Sequence, residues 1–577
     1  RGATPRLVSA TDATAAPGSG AYRLFNYGGT VSGAFDGITT PGAGTSALVY
    51  TDIPAQVNVL LTNGNQSVQF WDGADTTGAA AGGQGGAGTW SAGGTNWTRL
   101  PGGQINDLWR SGVGLFGGSA GTVTVAGAQA VQGLQFTVDG YRLGGTGTLT
   151  LTGDPFSTPS QSFVTVDPGV SATIATALTG QTGGIGLRKL GAGTLTLSGA
   201  NTYTGTTTIE AGTLALASTG ALASPVTTGA GGSFANAGTV SGGLTNAGSA
   251  SNDGTLTGPV TNSGSFVNRG TAGALTSTAG TVTNTGTLNG AVIITGGSLA
   301  LGPGSLVNGA LTNGATVTAQ GRITGPVTNA AGARFTLSGA LADLTALSNA
   351  GTVNLAGNSL GVGTLTGEGG VIQNGAATAA TLTLGGGNSA GTVLQDGAGG
   401  GALALAKIGT GTLTLTAAGT YGGGTRVAGG TLALGGPGSA GSGAIALDPG
   451  TRLAFLGSGY TVENAIRLAG PAAATIDSGP GTVALSGPIA GSGALEKAGL
   501  GTLVVSGTGT YTGATAVTAG ILQVDGALTG SSILTVGPGA GLTGTGRVGA
   551  LTVLSGGFVA PGNAANPTGT LTAEGPV

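Results

Sequence analysis

Between Thr194 and Ser198 the chain alternates Thr or Ser with Leu, the pattern of a strand with one face buried. On that reading Leu195 and Leu197 point inward. Gly199 and Gly205 bracket a turn, Thr207 and Ile209 share the inward parity of a second strand, and Leu214 with Leu216 form a third. Three short strands separated by glycine turns describe one coil of a β-helix.

The coil recurs. A 28-residue pattern appears three times without a gap, opened each time by one of the only three lysines in 577 residues: Lys189, Lys407 and Lys497. The copies read KLGAGTLTLSGANTYTGTTTIEAGTLAL, KIGTGTLTLTAAGTYGGGTRVAGGTLAL and KAGLGTLVVSGTGTYTGATAVTAGILQV. Inside each copy a glycine-led strand returns after 19 residues, from Gly193 to Gly212, Gly411 to Gly430 and Gly501 to Gly520. Each copy therefore holds one rung and the first strand of the next, which places Leu195 beneath Leu214 and Leu197 beneath Leu216 at about 4.8 Å.

Between the first two copies the rhythm tightens. Asn236, Asn252, Asn268 and Asn284 lie 16 apart, as do Asn246 and Asn262. Apolar positions keep the same step: Val240, Leu256 and Ala272; Leu244 and Val260; Ala250, Phe266 and Val282. After a slip the pattern resumes at Val307, Leu311 and Asn313, matched by Ile323, Val327 and Asn329. The asparagines read first as turn residues, because Asn tolerates the left-handed region and bonds its own backbone. A ladder of side-chain amides from coil to coil is the second reading, and both can hold. At 16 to 20 residues per rung, the expected fold is all-β, a parallel β-helix forming one elongated rod of roughly 30 rungs, on the order of 150 Å long.

Composition removes much chemistry. The chain has no Cys, His or Met, 126 Gly, 6% charged residues and a formal net charge of -3. Disulfides, thiolate nucleophiles, Cys or His zinc sites and imidazole bases are absent, and no basic surface for nucleic acid or anionic lipid can be built. No run reaches the roughly 20 apolar residues of a membrane helix, and 4% aromatic residues is too few for the girdles of a membrane barrel. Direct membrane insertion by these residues is therefore not expected. The opening RGATPRLVSA lacks an initiating Met and an apolar signal core, so the chain is expected to be a piece of something longer without its own signal peptide.

The three lysine-led copies resemble the passenger-associated transport repeat, also called the autotransporter-associated β-strand repeat, of bacterial type V secretion proteins. Further similar segments are AYRLFNYGGTVSGAF from Ala21, FWDGADTTGAAAGGQGGAGTWSAGGTNWT from Phe70, VQGLQFTVDGYRLGG from Val131, and APGN from Ala560 followed by Gly569-Thr570-Leu571. The resemblance implies a passenger domain: a right-handed β-helix exported across the outer membrane by a C-terminal translocator barrel and displayed on the bacterial surface. It divides the chain into a β-helical section with a Trp-containing insert at 1–185, a first repeat at 186–217, and the 16-residue rhythm at 218–370. Sections at 371–496 and 497–577 carry the second and third repeats. Such passengers are often adhesins, virulence or biofilm factors. Absent cysteine suits a chain threaded unfolded through a narrow pore.

Candidate sites are few. Gly117-Gly118-Ser119-Ala120-Gly121 matches a nucleophile-elbow pattern, but no histidine exists to complete a triad. Asp36, Asp52 and Asp72, spaced by 16 and 20, could share a face as the carboxylates of a polysaccharide hydrolase, although Asp36-Gly and Asp72-Gly read as turns. Trp71, Trp90, Trp97 and Trp109 are expected to fill a widened coil, with sugar stacking the lesser reading. Lys189, Lys407 and Lys497 are read as structural marks, each stem lying over the coil while the ammonium reaches water or a carbonyl of the adjacent turn. Tyr203, Tyr421 and Tyr511, fourteen residues further on, are expected to pack the turns. The sequence thus predicts a surface-displayed stalk and adhesin with no catalytic residues, cofactor or metal. Its partners would be host-cell or matrix glycans and proteins or neighbouring bacterial cells, and not nucleic acid. A carbohydrate-active enzyme and a pure spacer are the alternatives.

Overall fold

A computed structural model describes residues 19–26, 28, 44–51, 56–64, 66–76, 84–99, 103, 105–388 and 391–577. These residues form strands and turns with no helix, in two compact units, Arg1–Val282 and Thr283–Val577.

The first unit opens with an antiparallel sheet that the repeat rhythm did not announce. Gln56–Asn63 is its central strand, flanked by Gly20–Asn26 and Thr45–Tyr50. Coil strands follow: Val68–Trp71, Val113–Phe116, Gly133–Phe136 and Gln161–Val166 stack in parallel register. Ala21, Tyr50 and Leu60 of the antiparallel sheet pack on Val68, Phe70, Val113, Leu115 and Phe163, which face out of the coils. Val68–Trp71, Val113–Phe116 and Gly133–Phe136 are consequently buried at every position and lose the alternation of half-exposed strands. Between Trp71 and Val113 the chain makes an excursion whose strand Trp97–Thr98 pairs antiparallel with Phe70 and Trp71.

From Gly186–Leu190 the stack continues through Thr207–Leu216, Val226–Asn236, Leu244–Asn246 and Val260–Asn262 to Leu275–Ser277. Leu195 pairs with Leu214 and Leu197 with Leu216, as the 19-residue step requires. The 16-residue step brings Val240 to Leu256, Leu256 to Ala272, and Ala250 to Phe266. Polar neighbours of these residues point out, so each coil contributes a thin layer of aliphatic side chains to a column of like residues.

The second unit repeats the principle. Val292–Ile294, Leu311–Asn313 and Val327–Asn329 stack at short steps, with Leu311 on Val327 and Asn313 on Asn329. Later coils widen: Ile445 pairs with Ile466 and Ile466 with Ile489, steps of 21 and 23 residues. The third repeat closes its 19-residue step with Leu503 on Leu522 and Val505 on Val524. Among the described residues the turns number about 22, against the roughly 30 that uniform short rungs would give. Two features bear on the difference: the described strands up to Asn63 pair as an antiparallel sheet, and rungs such as Phe163 to Arg188 take 25 residues where corners carry loops.

Tight coil stacking falls hardest on the corners. In the short-coil stretch, Gly254 lies over Gly238 and under Gly270, and a Cβ added at Gly254 would sit 2.1 Å from the carbonyl oxygen of Gly238. Glycine is needed there for the approach of neighbouring coils rather than for an unusual backbone angle.

Candidate functional site

The three lysines are inside the coils. Lys189 stands in a column between Val164 and Ile209, Lys407 between Leu384 and Val427, and Lys497 between Ile476 and Val517. All three are fully buried. The stem thus runs inside the coil and not over it, and of the two ends expected for the ammonium, water or a carbonyl of the adjacent turn, the structure gives the carbonyl. Leu187, Leu405 and Leu495 already face inward, and a residue two places on in a strand must share that face.

An ammonium in an aliphatic column needs partners, and the corner supplies backbone carbonyls. Lys189 Nζ donates to Leu190 O at 2.9 Å, Gly191 O at 2.7 Å and, one coil on, Ala211 O at 3.1 Å. Lys407 Nζ repeats this with Ile408 O at 2.6 Å, Gly409 O at 2.9 Å and Gly429 O at 3.1 Å. Lys497 Nζ takes Ala498 O at 3.0 Å, Gly499 O at 2.7 Å, Gly501 O at 2.8 Å and Ala519 O at 2.9 Å. The glycine two residues after each lysine has φ of 73°, 71° and 80°, a left-handed turn at the point where its carbonyl meets the ammonium. Each lysine therefore ties its own turn to the next coil. Burial lowers Lys189 and Lys497 to about 8, with Asp477 opposing the shift at Lys497, and lowers Lys407 in the same direction.

Tyr203, Tyr421 and Tyr511 are buried in the same repeats, each bonded to the threonine four residues on: Thr207 at 2.7 Å, Thr425 at 2.7 Å and Thr515 at 2.6 Å. Thr207 continues to Ser224 at 2.6 Å and Thr515 to Ser531 at 2.8 Å, so hydroxyls too link one coil to the next. Burial pushes all three phenols up to about 12.

The asparagines also face inward and are fully buried. Asn236 Nδ2 donates to Asn252 Oδ1 at 2.6 Å, and Asn252 Nδ2 to Asn268 Oδ1 at 2.7 Å. A parallel ladder runs from Asn246 to Asn262 at 2.8 Å; in the second unit Asn313 bonds Asn329 and Asn329 bonds Asn349, both at 2.8 Å. Asn284 is buried and donates to Gly286 O at 3.0 Å. None adopts the left-handed conformation, since the positive-φ residues other than glycine are Ser111 and Ala356 among the described residues. The local backbone bonds expected of a turn do occur, as from Gly238 N to Asn236 Oδ1 at 3.1 Å. The ladder and the turn bond coexist on the same side chain.

Asp36 and Asp52 lie outside the described residues. Asp72 is buried, and its Oδ1 accepts from Gln84 N at 3.1 Å. Among the described residues no three His, Cys, Asp or Glu side chains gather as metal ligands. Ser119 is exposed, forms a parallel bridge with Gly85, and its carbonyl accepts the Tyr141 hydroxyl at 2.7 Å. Trp71, Trp90 and Trp97 are fully buried and make edge contacts at ring distances of 5.0 to 5.2 Å, with Trp109 4.5 Å from Trp97.

Fold and corners together define the class: a parallel β-solenoid in which a capped coil recurs at long intervals. The recurring coil has a known counterpart. The family model of the passenger-associated transport repeat matches residues 187–216, 405–434 and 495–524. Over 218 residues, 35% of this chain, the sequence is 37% identical to the adhesin BmaC autotransporter of Brucella suis biovar 1 (strain 1330). The matched stretch is 6% of that relative's length. No solved structure matches the chain. The chain thus carries three passenger-associated transport repeats and, over part of its length, is similar to an autotransporter adhesin.

Proposed function

We propose that the chain is a display scaffold whose outer face attaches cells, a stalk and adhesin that works without catalysis and contributes to biofilm formation. The observation that carries this reading is the similarity to an autotransporter adhesin over 35% of a chain whose described residues build stacked coils. Support comes from where the polar side chains go: the lysines, tyrosines and asparagines that recur in the sequence are buried in coil-to-coil bonds, which leaves the outward Thr and Ser positions to meet a partner. Its partners would be host-cell or matrix glycans and proteins or neighbouring bacteria, and a C-terminal translocator barrel in the parent chain would export it. Against a hydrolase, Asp72 is buried and one of its carboxylate oxygens is taken by Gln84 N.

The test is attachment of beads carrying the purified chain to epithelial cells, extracellular matrix and bacteria, with release of reducing sugar from polysaccharides measured in parallel. Attachment without cleavage supports the proposal. Cleavage that disappears in Asp72→Asn with the fold retained would establish the enzyme, and absence of both activities would leave a spacer.

A further inference from the structure

We propose that a groove in the first unit, where the antiparallel sheet meets the coils, is a binding site for a neutral saccharide. Gly64, Gln66, Gln132, Pro155 and Phe156 line a space of about 470 Å³, within the range of sites that hold small molecules. Three separate pieces of chain converge there: the segment leaving the sheet, a coil corner, and the loop after the strand Thr148–Leu151.

The groove has an apolar wall and a polar wall. Phe156 is 56% exposed, although a ring of this size normally gains by burial. The tip of the ring is seated on bare backbone, since a Cβ added at Gly64 would lie 2.5 Å from Phe156 Cζ. The exposed part of the ring is left to receive the C–H face of a pyranose.

Opposite stand two carboxamides. Gln66 is fixed at both ends: Oε1 accepts from Ser19 Oγ, and Nε2 donates to Asp154 Oδ1 at 3.0 Å and, at 3.4 Å, to Gln132 Oε1. Asp154 is buried and its Oδ1 also accepts from Phe156 N at 3.0 Å. One carboxylate thus positions both the amide and the aromatic residue. Gln132 Nε2 makes no hydrogen bond among the described residues, and its Oε1 holds only the long contact from Gln66. A free amide donor beside a weakly used acceptor suits a pair of sugar hydroxyls, each of which both donates and accepts. Among the described residues no Lys or Arg lines the groove, so charged sugars find no counter-ion in them. The site stands on this geometry; its use in attachment rests on the adhesive reading above.

Saturation-transfer NMR on the intact chain tests it, with methyl glucoside, galactoside, mannoside and N-acetylglucosaminide as neutral probes and glucuronate and a sialoside as charged ones. At least one neutral probe should bind, with affinity falling about tenfold or more in Phe156→Ala and in Gln132→Leu. Phe156→Trp, which keeps the aromatic wall, should retain or tighten binding. No signal from any neutral probe at roughly 10 mM, binding untouched by Phe156→Ala, loss in Phe156→Trp as well, or preference for the charged probes would overturn the proposal. A chain that attaches to cells yet gives no saccharide signal overturns the groove site alone.

Discussion

Amide for amide, the buried asparagines do the work that a wider hydrophobic core does elsewhere. Asn252 Oδ1 accepts a hydrogen bond from Asn236 Nδ2, and its Nδ2 donates to Asn268 Oδ1 and to Thr271 O, so one side chain serves three coils. Asn252→Leu keeps the volume and deletes these bonds, leaving donors and acceptors in a site closed to water. The expected loss is about 2–4 kcal/mol, since each orphaned buried group costs roughly 1–3 kcal/mol. Urea unfolding measures it, and a change below about 0.5 kcal/mol would show that the ladder carries no stability. The lysines make a second prediction, in pH. Folding lowers Lys189 and Lys497 to about 8 from 10.5, so above pH 8 the unfolded chain binds more protons and stability rises with pH. Above pH 10 the tyrosines, raised to about 12 from 10.0, act in the opposite sense, because the unfolded chain then loses protons that the folded chain keeps. Urea midpoints should therefore be higher at about pH 9.5 than at about pH 7.5; a lower midpoint contradicts the buried assignment. At this scale the sequence was read correctly for leucines and only partly for polar residues. Lys189 shares the parity of Leu187, which places it inside, but a charge argues for the surface until the corner carbonyls are known. Those carbonyls come from Ala211 and its neighbours, and no pattern of side chains announces where a carbonyl points.

A coil is only as thin as its corners allow. Gly254→Ala drives a methyl group into the carbonyl of Gly238 and should cost about 1–3 kcal/mol, the usual range for overpacking. Gly93→Ala, with no heavy atom within 4 Å of the added carbon, should stay within about 0.5 kcal/mol of the parent. Equal melting temperatures for the two variants would show that the coils have slack at this corner. Registers within the coils were legible because the repeat fixes them: once Gly193 returns at Gly212, Leu195 has nowhere to sit but on Leu214. The antiparallel sheet was not legible in this way. AYRLFN, TSALVY and QVNVLL all have strand character, yet their pairing reverses direction, and no internal repeat records it. The coil strands beneath that sheet are buried on both faces, which erased the alternation that would have marked their outer sides as covered. The saccharide groove went unread for the same reason, because Gln66 and Gln132 are brought together by the docking of that sheet and by no spacing in the sequence.

For the molecule as a whole, recurrence at 16 and 19 residues means that each coil depends on its neighbours and not on one central core. A chain without Cys, holding its coils by carbonyl-bound lysines, hydroxyl pairs and amide ladders, needs no oxidation step to fold. The same absence of Cys makes the central claim, that these repeats stack one coil per period in parallel register, open to direct measurement. Thr245 pairs with Thr261, and Thr261 with Thr276, on an outward face. Cysteines at Thr245 and Thr261 would stand about 4.8 Å apart, within reach of a short thiol crosslinker, whereas Thr245 and Thr276 would be about twice that distance. Parallel one-coil stacking gives rapid, near-complete intramolecular crosslinking of the Thr245→Cys, Thr261→Cys pair and little of the Thr245→Cys, Thr276→Cys pair; equal reaction of both pairs, or preference for the second, would rule that register out.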